Sequence, residues 1–211
     1  MEGYFIAGTD SGCGKTHVCA ALLRGFRARG VQAVGCMPVC CGDRKDARLL
    51  RDAMGEPAQP LDMVNPVHLR TVAAPLMAAE LEGRALSLDE LEQSCRAMAG
   101  QGGPLLVDSC GCWATPLAPG VIVGDLAVRL QLPVILVAAN RLGAAGQVAM
   151  AVNAMRLARV TCRGVILNSV SDEWDTACVT NAGLIERCTG VPVLAQLIAG
   201  QDDLETGVLE P

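Results

Sequence analysis

With 211 residues the chain is long enough for one domain with a sizeable core, and a hydrophobic share of 51% is that of a globular protein. A net charge of −5 gives nucleic acid no general electrostatic reason to bind, and an aromatic content of 2% is too low for base-stacking platforms. No apolar run is long enough to span a bilayer and the opening Met1-Glu2-Gly3-Tyr4 has no basic leader, so a cytoplasmic protein with its cysteines reduced is expected, with no membrane partner.

The first apolar run, residues 4–8, predicts a strand, and residues 15–29 predict a helix. A strand at 33–39, helices at 46–54, 74–82 and 88–99, and a strand at 104–108 follow. The second half reads as helix 123–130, strand 134–138, helix 144–158, strand 164–168, helix 172–188 and strand 191–195. The strand segments are continuous apolar runs rather than alternations, as strands of a parallel sheet covered on both faces must be. Strand–helix alternation of this kind predicts one doubly wound α/β domain over residues 1–211, a mostly parallel sheet with helices on both faces.

Between the first strand and the first helix lies Gly8-Thr9-Asp10-Ser11-Gly12-Cys13-Gly14-Lys15-Thr16, which satisfies the G-x-x-x-x-G-K-[ST] pattern of a phosphate-binding loop. Glycines at 12 and 14 let successive backbone N–H groups point at phosphate oxygens, and the helix N-terminus adds partial positive charge. The loop predicts ATP binding by Gly12, Cys13, Gly14, Lys15, Thr16 and His17, the last reading as a packing or surface residue rather than a catalytic base. Lys15 is the expected catalytic cation on the β- and γ-phosphates, and the Thr16 hydroxyl an expected Mg²⁺ ligand. The plain alternative is a glycine-rich turn that binds nothing. A hard cation needs further oxygens, and Asp108, at the end of the buried run Leu105-Leu106-Val107, stands where a carboxylate faces the ligand crevice. Asp46 is a second candidate. Each aspartate also reads as a turn or helix cap.

With these residues in hand the sequence resembles the dethiobiotin synthetases, which use ATP to close the ureido ring in biotin synthesis. Residues 8–16 resemble that family's opening loop. Met37-Pro38-Val39-Cys40-Cys41-Gly42 is similar to its K-P-V-x-S-G, and Val64-Asn65-Pro66 to its x-N-P. Asp108-Ser109-Cys110-Gly111-Cys112-Trp113 with Pro116-Leu117 resembles E-G-A-G-G-x with P-L, and Leu132 to Val137 with Leu142-Gly143 resembles L-P-V-I-L-V with L-G. Asn168 matches the asparagine that meets the adenine edge. The resemblance implies an ATP- and Mg²⁺-dependent cyclo-ligase acting on a small-molecule diamine, 7,8-diaminopelargonic acid. Carbon dioxide adds to one amine, ATP phosphorylates the carbamate, and the second amine closes the ring with release of phosphate. It also implies a homodimer in which the helix from about Ala144 offers its N-terminus to the substrate carboxylate across the interface.

The departures are concentrated on the substrate side, although near the C-terminus Gln196-Leu197-Ile198 also replaces the family's proline-containing adenine wall. The family's carbamate-supporting lysine is Met37, its substrate-contacting serine is Cys41, and its glutamate is the shorter Asp108. Met37 cannot neutralise charge and Cys41 is a weaker hydrogen-bond partner, which predicts weak activity with the diamine. The alternative is a relative that binds nucleotide but acts on another substrate or as a nucleotide-dependent switch. The cysteines near the site read either as a soft-metal or iron–sulfur centre or, the preferred reading, as small fillers. Arg44 and Lys45 read as a solvated pair that could replace the missing lysine only if the loop folds inward. His68, after Asn65-Pro66, could approach the substrate, and Trp113 reads as structural.

Overall fold

The computed structural model describes residues 1–171, 175–204 and 209. Its elements run β1 (Gly3–Gly8), α1 (Lys15–Ala28), β2 (Val34–Cys36), β3 (Val39–Cys41), α2 (Lys45–Met54), α3 (Leu61–Val64), β4 (Val67–Leu69), α4 (Pro75–Leu81) and α5 (Leu88–Ala99). They continue with β5 (Leu105–Asp108), β6 (Pro116–Ala118), β7 (Val121–Ile122), α6 (Val123–Leu130), β8 (Val134–Ala139), α7 (Ala144–Leu157), β9 (Cys162–Asn168), α8 (Thr176–Thr189) and β10 (Val193–Leu197). Residues 172–174, assigned by the sequence to the start of the last helix, lie outside the described residues.

Six strands form a parallel sheet in the order β10-β9-β8-β1-β5-β2. The central strands are buried along nearly their whole length, with Phe5, Ile6, Leu105, Leu106, Ile135 and Leu136 fully covered, which is why these segments carry no polar alternation. The chain lays β5 and β2 on one side of β1 and β8, β9 and β10 on the other. The order therefore reverses beside β1, and in such sheets the crevice outside the carboxyl ends at that point takes the ligand.

One predicted strand is corrected. Residues 33–39 do not form a single strand: the main sheet keeps Val34–Cys36, and Val39–Cys41 pairs with Val67–Leu69 in a separate two-stranded parallel sheet. Pro38, which has no N–H to donate to a ladder, stands at the break, and the Met37 N–H is taken by the Val64 carbonyl at 2.8 Å. The consequence reaches the site, because Val39 to Cys41 then line the same cavity as Ser109 and Cys110, which follow β5.

Candidate functional site

The phosphate loop is shaped by close approaches that admit no side chain. Gly14, the residue capping α1, has φ 88°, and a Cβ there would sit 2.1 Å from the Asn168 amide nitrogen. That nitrogen donates to the Cys13 carbonyl at 3.1 Å, so β9 holds the loop from the side. A Cβ on Gly8 would meet Lys15 Cδ at 2.8 Å. Lys15 is buried, with its ammonium turned back to the Asp10 carbonyl at 3.3 Å.

Thr16 and Asp108 come together as the sequence predicts: the Thr16 hydroxyl donates to Asp108 Oδ2 at 2.6 Å. Asp108 is fully buried, and burial pushes its carboxyl up to about 7 against the opposing pull of the Thr16 hydrogen bond and the Lys15 charge, with Asp46 adding to the rise. Its Oδ1 is buried with no hydrogen-bond partner, as are the Thr9 and Ser109 hydroxyls. An unpaired buried carboxylate oxygen beside a hydroxyl is a costly arrangement that a hard cation would relieve, so the oxygen donors present fit Mg²⁺. Asp46, exposed in the first turn of α2, borders the same cavity as Thr16.

That cavity has a volume of about 710 Å³. Gly12, Gly14, Lys15, Thr16 and His17 line it on the loop side, and Met37, Cys41, Cys110, Val72 and Pro75 line the opposite side. Burial pushes the Cys41 thiol up to about 11 and the Cys110 thiol up to about 12, so both are neutral and weakly polar. Lys15 is the one permanent cation among the described lining residues.

Arg44 is no solvated side chain. Its guanidinium donates to the side chains of Asp62 and Asn65 and to the carbonyls of Leu61 and Asn65, tying the start of α2 to α3 and away from the cavity. Lys45 is exposed. His68 holds the Gly42 carbonyl at 2.7 Å instead of a ligand, and Trp113 is packed over Gly124. Asn65 was read from sequence only as part of a motif, yet it fixes the site: its buried amide donates to the Met37 and Val67 carbonyls. None of the eleven cysteines is in a disulfide, and among the described residues no group of three or more His, Cys, Asp or Glu is placed to hold a metal. The fold brings Thr16 and Asp108 together with an exposed Asp46, a set with fewer carboxylates than that.

The model of a family described as AAA domain matches residues 2–201. The ATP-dependent dethiobiotin synthetase BioD of Akkermansia muciniphila is 39% identical, over 99% of this chain and 98% of its own. That of Anaeromyxobacter dehalogenans strain 2CP-C is 37% identical, over 93% of this chain and 90% of its own. Among solved structures, the cell division protein FtsY of Thermotoga maritima superposes with a TM-score of 0.55 at 14% identity, covering 96% of this chain and 63% of that one. A ParA family ATPase of Chlorobium tepidum gives 0.54 at 11%, covering 99% and 88%. At such identities the two structures share the fold alone.

Proposed function

The chain belongs to the dethiobiotin synthetase family, and on that footing we propose that it is an ATP-dependent carbon–nitrogen ligase closing a cyclic urea on 7,8-diaminopelargonic acid. The observation that carries this reading is the cavity floor, where Lys15 and the Thr16–Asp108 pair lie under one space that also borders Met37 and Cys41. Phosphates and a second substrate can therefore meet there.

Carbon dioxide adds to one amine with loss of a proton to give a carbamate, whose oxygen takes the γ-phosphoryl group of ATP as the bond to the β-phosphate breaks and ADP leaves. The second amine then attacks the carbamoyl carbon, the C–O bond to phosphate breaks, and the ring closes with release of inorganic phosphate. Charge neutralisation and positioning do most of this work. Lys15 would follow the γ-phosphoryl group, and the N–H groups of Gly12 to Thr16 would hold the phosphates. Mg²⁺, which Thr16 and Asp108 would hold with Asp46 beside them, would neutralise phosphate charge when bound. Met37 and Cys41 would border the diamine, and Asn168 the nucleobase end.

A homodimer fits α7. From Ala144 to Met155 it carries no charged side chain, and Met150 and Leu157 on it and Leu142 in the turn before it stand 71%, 88% and 80% exposed. A second copy seated there would cover them. Leu157→Glu is expected to give monomers by light scattering. Eleven cysteines without a disulfide suit a reducing compartment, the cytoplasm.

The uncharged wall of Met37 and Cys41 favours a second reading, a nucleotide-dependent switch. Phosphate release with ATP, Mg²⁺ and bicarbonate separates the two. The ligase reading expects release to rise on adding diaminopelargonate; release indifferent to the diamine would sink it.

A further inference from the structure

The Thr16–Asp108 bond puts the residues that would hold Mg²⁺ on the β5 side of the loop, and the metal end of a bound triphosphate would lie there with them. The other end of the nucleotide must then leave toward β9 and β10, on the opposite side of β1. At that edge the Ser169 N–H bonds the Leu197 carbonyl, bringing the chain after β9 beside the chain after β10. Val170 and Ile198, each 55% exposed, follow those two residues, and aliphatic side chains of this kind suit the flat face of a heteroaromatic ring.

Nothing in the sheet itself holds the turn at 198–202, since β10 ends at Leu197. It is held by two side chains of α1, seven residues apart and so on one face of the helix. His17 Nε2 lies 2.6 Å from the Gln201 carbonyl, which accepts only if that nitrogen carries the proton. Arg24 Nε donates to the Asp202 carbonyl at 2.9 Å, and the Asp202 carboxylate faces both the His17 Nδ1 and the Arg24 guanidinium. The turn is closed within itself by Gln201, whose N–H bonds the Ile198 carbonyl and whose side-chain carbonyl accepts from the Ile198 N–H.

We infer that His17 is a positioning residue for the nucleobase end of the ligand, acting through the Gln201 carbonyl to fix the turn at 198–202, with Arg24 as its second anchor. His17 adjoins Thr16, so this links the helix that presents the phosphates to the wall that receives the base. The inference rests on the ATP reading above, and inorganic tripolyphosphate keeps the two apart, because it has the phosphates of ATP and no base.

The experiment measures dissociation constants of ATP and of tripolyphosphate, each with Mg²⁺, by calorimetry on the full chain. His17→Ala should weaken ATP about tenfold, the worth of one hydrogen bond, and leave tripolyphosphate within about twofold. His17→Gln, which restores an N–H near the same place, should recover most of the loss. Arg24→Ala should reproduce the same selectivity on a smaller scale. With ATP saturating, kcat of His17→Ala should hold while KM for ATP rises. Equal weakening of ATP and tripolyphosphate would show that His17 serves the phosphate loop and would overturn the inference, as would unchanged ATP affinity. Wild type binding neither molecule would instead overturn the nucleotide reading on which it rests.

Discussion

On the β1–β5 side of the cavity the polar groups have little freedom to be elsewhere. Gly14 is locked under Asn168, Lys15 is buried, and Thr16 is bonded to Asp108. On the β3–α4 side the lining is sulfur and aliphatic carbon: Met37, Cys41, Val72 and Pro75, with Cys110 beside them. The backbone there is as well fixed as in the loop, since Asn65 holds Met37 by its carbonyl and Arg44 holds Asn65. What differs is chemistry. Phosphate binding is written mainly in backbone shape, which a sequence can change only by losing the loop. Substrate binding is written in side-chain ends, which can be exchanged one at a time on an intact frame.

The largest expected effect comes from removing the permanent cation of the first wall. Lys15→Ala takes the only permanent cation from the described cavity lining. Loss of a preorganised charge contact costs about 2.7–4 kcal/mol, so turnover should fall at least about 10²- to 10³-fold. Calorimetry should show ATP affinity lost with it. Unchanged affinity would mean that the loop works by its backbone alone.

Asp108→Asn comes next and separates function from stability. At pH 8 the carboxyl is ionised in the folded protein as well as in the unfolded chain, so its burial penalty is present in full. An amide keeps an acceptor for the Thr16 hydroxyl while removing the buried charge. The metal-free variant should therefore melt no lower than wild type, and by a few degrees higher where burial dominates, while Mg²⁺-dependent phosphate release falls about 10²-fold. A lower melting temperature would show that Lys15 and Thr16 already stabilise the carboxylate without a metal.

How much of this was legible in the sequence follows the same division. The loop, the buried strands and Asp108 could be read because backbone geometry and full burial leave periodic or motif-length traces, and α5 and α6 match their predicted bounds. The short β3, β4, β6 and β7 and the four-residue α3 left no such trace, since two to four residues carry no period. Pro38 was the available signal for the break after β2. The part played by Arg44 was hidden because its partners, Asp62 and Asn65, are 18 and 21 residues away. The same holds for His17, whose partner Gln201 is 184 residues distant.

The smallest expected effect tests the second wall by restoring a charge to it. Met37 is 5% exposed and lines the cavity, so its side chain reaches the space where a carbamate would lie. The methionine is unbranched and close in length to lysine, so Met37→Lys needs little repacking, and its backbone stays held by Val64 and Asn65. An ammonium buried alone would be costly, and it would favour an anion beside it. A carbamate and its phosphorylated form are such anions, and they gain charge where the diamine has none. Met37→Lys should therefore raise kcat with diaminopelargonate by about tenfold, less than the full worth of an evolved donor because the Cys41 thiol beside it remains weakly polar. The melting temperature without substrate should fall. Steady-state phosphate release and a thermal melt measure both. A variant no faster than wild type, folded and binding ATP normally, would show that this wall meets a substrate whose reacting group carries no negative charge.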